Sequence, residues 1–205
     1  MPERVRAGDL LRRARALYDS PSCDLAEAAC GAWRGGFASG GRWMARALGQ
    51  LRGGPPPDVP RGMNALGLVK YGLAGAAALA CVGLACLMGC WPLLVLGIPA
   101  FYAVETQMVF LFPLALDGSE HLFREARRRT SRAGGTLVVM SVVLPLAGTM
   151  LFGGFARQGF VRSWCLGCLA VCIWYEDLRG HETAVELTTG PLVTTNSAGE
   201  DLSRS

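Results

Sequence analysis

The most prominent pattern in this 205-residue chain is a block of apolar positions between Tyr71 and Tyr175, flanked by ends in which apolar and charged residues alternate. Residues 71–90 carry no charge, and a helix of this length is about 30 Å long, which matches the hydrocarbon thickness of a bilayer. Lys70 marks the inner edge of this stretch. Residues 93–116 and 135–155 are two further apolar stretches of similar length. The pattern predicts membrane-spanning helices and excludes a disordered chain, a collagen or a disulfide-stapled toxin.

A fourth apolar stretch, residues 160–175, is shorter and contains Arg162. It would reach only about 24 Å as a helix, so we expect it to cross the bilayer if Arg162 extends to the interface. The alternatives are that it lies flat on the membrane or re-enters. With this stretch included, the predicted fold is all-α, a multi-pass transmembrane helical bundle of about four spans over residues 66–175.

The bundle is preceded by residues 1–54, which we predict to be a small, basic, helical cytoplasmic region. Apolar residues recur at helical spacing over residues 4–18, and Asp24 with Glu27 forms a capping box that predicts a second helix. A third helix is expected over roughly residues 42–51. A segment that lies on anionic lipid is the alternative, because an aromatic residue and arginines occur together there.

Two segments are expected to be irregular. Residues 55–65 begin with three prolines, which favour an extended backbone and predict a linker. Residues 176–205 have a net charge of −4 and few large apolar side chains, so we predict a mostly disordered tail.

The distribution of charge predicts the orientation in the membrane. Residues 1–70 have a net charge of +5 and residues 117–134 a net charge of +2. Basic flanks are enriched on the cytoplasmic side, so we expect a cytoplasmic N-terminus and a cytoplasmic loop over residues 117–134. Little chain is left outside the membrane, which excludes a receptor ectodomain. The basic residues alternate with acids without a nucleic-acid-binding motif, so no nucleic-acid partner is predicted.

Glu105 is the acid within the second apolar stretch, and Gln107 lies two residues further on. An ionisable side chain at membrane depth costs several kcal/mol unless it is paired or protonated, so it marks a candidate polar intramembrane site. The functional interpretation is the handling of a proton, a cation or a polar headgroup. The structural alternative is a hydrogen bond between helices, for example to Ser141 or Thr149, and a third is that Glu105 is interfacial.

Eight cysteines occur, and Cys165 and Cys168 form a Cys-x-x-Cys motif at the start of the fourth stretch. Such pairs have lowered thiol pKa values and can support thiol–disulfide exchange or bind a soft metal. Close packing of small apolar side chains and acylation are the alternatives. In outline, the predicted architecture resembles that of the vitamin K epoxide reductases, which have four short spans with this motif at the start of the last. The resemblance implies a thiol oxidoreductase. The partner cysteines of that family's outer loop have no counterpart in this chain.

The loop over residues 117–134 contains the run Arg124, Arg127, Arg128 and Arg129, and we predict that it forms a solvated, amphipathic helix on the inner side of the membrane. The four arginines are candidate lipid-facing residues, which on this alternative bind anionic headgroups. His121 and Glu125 have the spacing of two metal ligands on one helix face, but a third ligand is missing nearby. We therefore predict neither a metal site nor a cofactor.

The function predicted from these patterns is that of a non-enzymatic accessory or scaffold subunit in the membrane. Its expected partners are the lipid bilayer and a protein bound through residues 1–54. The alternatives are a small membrane thiol oxidoreductase that uses Cys165 and Cys168, and a transporter or lipid-handling protein with Glu105 in its polar site.

Overall fold

The computed structural model describes residues 5–20, 24–32, 35–155 and 159–189, and for residue 30 and residues 182–189 it describes the backbone alone. Regular structure in these residues is helical, without strands, which confirms the all-α class. The helices are α1 (Ala7–Tyr18), α2 (Leu25–Ala32), α3 (Gly36–Arg52), α4 (Met63–Met88), a 3₁₀ helix (Trp91–Leu96), α5 (Gly97–Gln107), α6 (Leu111–Leu116), α7 (Leu122–Arg132), α8 (Gly135–Phe152) and α9 (Phe160–Thr189).

Among the described residues, three helical segments are long and apolar enough to cross a membrane: Met63–Met88, Trp91–Leu116 and Gly135–Phe152. Their surfaces carry large exposed apolar side chains, including Leu79, Leu87 and Leu137. Large apolar side chains exposed along such long apolar helices are typical of a surface in contact with lipid. The coarse prediction of a membrane protein is therefore supported, whereas the predicted count of four spans is not confirmed.

The first two candidate spans form an antiparallel hairpin. Helix α4 is capped at its C-terminus by Gly89, whose φ of 59° is the left-handed conformation that glycine adopts without a steric penalty. Lys70 lies beside Glu105, and the backbone of Gly97 lies beside that of Ala78, so α4 and α5 run in opposite directions. This arrangement brings the cation of one span next to the carboxylate of the other.

Helix α9 is a core helix in this structure. Leu169, Cys172 and Tyr175 are fully buried, and α8 and the N-terminal helices pack around them. Helix α1 runs antiparallel to α9, because Arg13 pairs with Asp177 and Asp19 pairs with Arg162. Arg162 therefore pairs with a carboxylate of its own chain. From the sequence we had expected it to extend to the membrane interface.

Several predicted boundaries differ from the structure. Helix α3 begins at Gly36, ahead of the predicted residue 42, and α4 begins at Met63, inside the predicted linker 55–65. Helix α9 continues to Thr189, so residues 176–189 are helical where we predicted the start of a disordered tail. The charges at Glu176 and Asp177 do not end the helix, because they pair with arginines of α3 and α1. The rest of the tail, residues 190–205, lies outside the described residues.

Candidate functional site

A cavity of about 540 Å³ lies between α2, α3, α5, α8 and α9, with further contributions from α4 and α6. Its lining is predominantly apolar and rich in aromatic rings, among them Phe37, Phe101 and Trp164. Pockets that bind small ligands have volumes of about 300–1,000 Å³ and combine an apolar lining with a few polar groups. The cavity has the size and character of such a pocket.

The charged residues in the cavity lining are Lys70 and Glu105. Lys70 Nζ lies 2.8 Å from Glu105 Oε1, and the two side chains are only 4% and 13% exposed. Lys70 Nζ also lies 5.2 Å from the ring centre of Tyr71 and 5.1 Å from that of Phe112, within the range of cation–π attraction. The second carboxylate oxygen, Glu105 Oε2, is buried and accepts no hydrogen bond from the described residues.

A glycine allows the aromatic wall to form beside Lys70. Phe37 stacks on Tyr71 with ring centres 5.4 Å apart and on Phe112 with ring centres 6.1 Å apart. The ring of Phe37 occupies the space over Gly67, where a Cβ atom would overlap it. The absence of a side chain at Gly67 thus lets α3 approach α4 and enclose the cavity.

The structure gives Glu105 a partner that the sequence analysis did not consider. We predicted a hydrogen bond to Ser141 or Thr149, but these hydroxyls donate to carbonyl groups of their own helix. Lys70, which we took as the polar edge of the first span, is buried and fills this role. Lys70 stands at the edge of an apolar stretch, and position in sequence alone does not distinguish a flanking cation from a buried one.

Gln107 does not share the cavity with Glu105. Its side-chain amide donates a hydrogen bond to the hydroxyl of Thr136, at the start of α8. Nearby, the Thr130 hydroxyl donates to the carbonyl oxygen of Thr106 at 3.0 Å. These bonds connect the end of α5 to the α7–α8 segment, so Gln107 has a structural role here.

Both cysteines of the Cys-x-x-Cys motif line the cavity, and the described cysteines are free thiols. Cys165 is buried and Cys168 is partly exposed. The pKa of Cys168 is raised to about 11, mainly by burial; the nearby Lys70 lowers the pKa and Glu105 raises it, and both effects are smaller than that of burial. Thiol–disulfide exchange requires a thiolate, so this environment disfavours the redox chemistry that the motif indicated.

The four arginines predicted to face lipid do not share one surface. Arg124, Arg127 and Arg128 are exposed on α7, but Arg129 is buried. The guanidinium carbon of Arg129 lies 4.4 Å from the ring centre of Tyr175 on α9. The prediction that Arg129 faces lipid is therefore wrong, since its position on α7 points it toward α9.

A charged network that was not predicted from the sequence joins the ends of α3 and α6 to the middle of α9. Arg52 lies 2.8 Å from Asp117 and 2.6 Å from Glu176, and the Tyr175 hydroxyl donates to Asp117 at 2.7 Å. Burial raises the pKa of Asp117, but the hydrogen bonds from Arg52 and Tyr175 outweigh it and hold that pKa below its ordinary value. No local motif marks this network, because its members are distant in sequence.

Among the described residues, no three His, Cys, Asp or Glu side chains lie close enough to hold a metal ion together. In comparisons with known proteins, no family model, curated protein or solved structure matches this chain. The geometry of the cavity is thus the basis on which a function can be argued.

Proposed function

We propose that this protein is an integral, multi-pass membrane protein that binds a lipid or a similar apolar molecule in its cavity, with Lys70 and Glu105 as the polar group of the site. The observation that carries the proposal is an apolar cavity of ligand size whose wall contains a buried ion pair and parts of candidate membrane helices. An apolar ligand gains free energy when it leaves a polar medium for such a lining.

The rim of the cavity supports entry from the bilayer. Leu151 lines the cavity and is also 45% exposed on the surface of α8, while Phe101 and Tyr102 on α5 are half-buried. A lipid chain that slides between α5 and α8 would remain in apolar surroundings throughout. A hydroxyl or amine on such a molecule would supply Glu105 Oε2 with the hydrogen-bond donor that buried carboxylates normally have.

The two other functions predicted from the sequence have weaker support. A scaffold that binds its partner through residues 1–54 would need an available apolar face, but Leu10, Trp43 and Leu48 are buried within the chain. A thiol oxidoreductase would need a reactive thiolate at Cys168, which burial disfavours. Both remain predictions.

The orientation that we propose places the N-terminus in the cytoplasm. The exposed arginines of α7 lie between two candidate spans, and basic segments next to spans are retained on the cytoplasmic side. An even number of crossings, α4 and then the 3₁₀–α5–α6 segment, separates the N-terminal helices from α7. The two basic regions then lie on the same side.

The cavity can be filled at Gly40, which lines it from α3. A Cβ atom at Gly40 meets no other atom within 4 Å, so the side chain of Gly40→Leu has open space to occupy. Gly83→Leu is the matched control, because Gly83 is exposed on α4 and is equally unobstructed there. Both variants add the same apolar volume to a helix.

The experiment is mass spectrometry of the molecules extracted from purified protein after exchange into a lipid-free detergent. We expect an apolar or amphipathic species in close to one copy per chain in wild type and in Gly83→Leu, and at several-fold lower occupancy in Gly40→Leu. Equal occupancy in all three proteins would indicate peripheral lipid and refute the proposal. So would wild-type protein that is folded and free of any such species.

A further inference from the structure

Helix α7 has two different faces. Ala126, Arg129 and Thr130 are buried against the rest of the protein, whereas the other face exposes an aromatic ring among cations. Phe123 is 43% exposed and is followed along this face by Arg124, Arg127 and Arg128; these four residues are termed here the α7 outer face.

The α7 outer face has a strong positive charge of its own. The acid within α7, Glu125, lies 3.7 Å from Arg129 on the side of the helix that packs inward. The exposed arginines therefore outnumber the acids of this helix, because its carboxylate Glu125 pairs with the buried Arg129. A surface of this composition attracts an extended anionic surface.

The position of α7 identifies which anionic surface lies closest. The helix connects the candidate spans Trp91–Leu116 and Gly135–Phe152, so both of its ends are joined to segments that can enter a bilayer. Leu137, in the first turn of α8, is one of the most exposed apolar side chains of the described chain. A partly inserted aromatic ring with arginines at headgroup level is the composition of helices that lie in the membrane interface.

We infer that the α7 outer face docks on the anionic headgroups of the bilayer, with Phe123 inserted and Arg124, Arg127 and Arg128 in contact with lipid phosphates. The interaction is independent of the cavity and of what the cavity binds. It selects anionic phospholipid over zwitterionic phospholipid, and it fixes the cytoplasmic end of the second and third candidate spans at the headgroup level.

The test measures retention of phosphatidylglycerol by the full chain in neutral detergent, by native mass spectrometry with phosphatidylcholine as the reference lipid. The triple variant Arg124→Gln, Arg127→Gln, Arg128→Gln removes the charge, and the corresponding Arg→Lys triple keeps it. Each basic residue near an anionic surface strengthens binding about five-fold, so the Gln triple should bind phosphatidylglycerol roughly 100-fold more weakly. The Lys triple should stay close to wild type.

A matched control removes the same number of arginines from α1 and its N-cap, by Arg6→Gln, Arg12→Gln and Arg15→Gln, all of which are exposed. We expect this variant to retain phosphatidylglycerol as wild type does. If it loses the lipid to the same degree, net charge governs binding and the docking face is refuted.

Two further outcomes would overturn the inference. Inorganic phosphate that displaces phosphatidylglycerol at equal concentration would indicate that the face is a site for free phosphate. Unchanged binding of phosphatidylglycerol by the Gln triple would indicate that the α7 outer face binds a partner other than lipid. If the Gln triple does not fold, the three single Gln variants replace it, each with an expected loss of about five-fold. Single variants that bind as wild type does would refute the inference equally.

Discussion

The buried pair of Lys70 and Glu105 gives the sharpest prediction about stability. We consider three variants: Lys70→Met, Glu105→Leu and the double variant. Either single change leaves one charge without its counter-ion in a site where the two side chains are 4% and 13% exposed. The double variant replaces both charges with apolar groups of similar volume.

The magnitudes follow from the burial of the pair. Removal of one partner from a buried pair costs about 3–5 kcal/mol, because the remaining charge stays desolvated. This corresponds to a change in the unfolding equilibrium of roughly 100- to 4,000-fold. Replacement of both partners by apolar groups is often neutral or stabilising, so the double variant should lose less than either single one. The coupling energy is then about 3 kcal/mol or more.

The assay is reversible unfolding of the protein in mixed detergent micelles, followed by circular dichroism, for wild type and the three variants. The exposed pair of Arg12 and Asp9, 2.9 Å apart, is the control, and its coupling energy should stay below about 1 kcal/mol. If the effects at Lys70 and Glu105 simply add, to within about 0.5 kcal/mol, the two residues do not act as a pair and the reasoning fails.

Three further predictions concern the surrounding structure. Asp117→Asn should cost about 2 kcal/mol at neutral pH, because Asp117 accepts hydrogen bonds from Arg52 and Tyr175. The folded state lowers the pKa of Asp117, so the stability that the ionised carboxylate contributes is fully present above the ordinary pKa of an aspartate. That stability is lost as the pH falls through the pKa of Asp117 in the folded protein. The thermal unfolding temperature of wild type should therefore fall more on acidification than that of the variant. Cys168 should react slowly with iodoacetamide at neutral pH, and to the same extent with and without prior reduction. Gly67→Ala should destabilise the protein by about 1–3 kcal/mol through overlap with an aromatic ring, whereas Gly72→Ala on the open side of α4 should be neutral or stabilising by up to about 1 kcal/mol.

Each of these predictions has a clear contrary result. Equal loss of stability on acidification for wild type and Asp117→Asn would remove Asp117 from the network. Faster labelling of Cys168 after reduction would reveal a disulfide and restore the redox hypothesis. Equal effects of Gly67→Ala and Gly72→Ala would mean that α3 does not pack closely against α4 at this point.

Part of the candidate site was visible in the sequence. Glu105 stands out because an acid in an apolar stretch must be paired, protonated or interfacial, and this holds whatever the fold is. Its partner was not visible, because Lys70 lies 35 positions earlier, where a flanking cation is equally expected. The cavity was not visible either, since it depends on how five helices pack and on where Gly40 and Gly67 leave space.

The N-terminal helices show the same limit. The apolar spacing in residues 4–18 predicts an amphipathic helix, and α1 (Ala7–Tyr18) confirms it. The spacing does not determine what packs against the apolar face of this helix. From the sequence we placed the helix in a cytoplasmic region or on the lipid surface. In the structure α9 covers it, and Arg13 and Asp19 pair with charges at separate points along α9.

By itself, the sequence determined the helical class and the three apolar segments that can enter a bilayer, because length, hydropathy and spacing are properties of contiguous residues. Tertiary structure alone decided that α9 is buried among its own chain, that Arg129 packs on Tyr175 while its neighbours stay exposed, and that Lys70 meets Glu105 at the wall of a cavity. These outcomes depend on contacts between distant parts of the chain, where the free energy of a side chain is set by its neighbours in space.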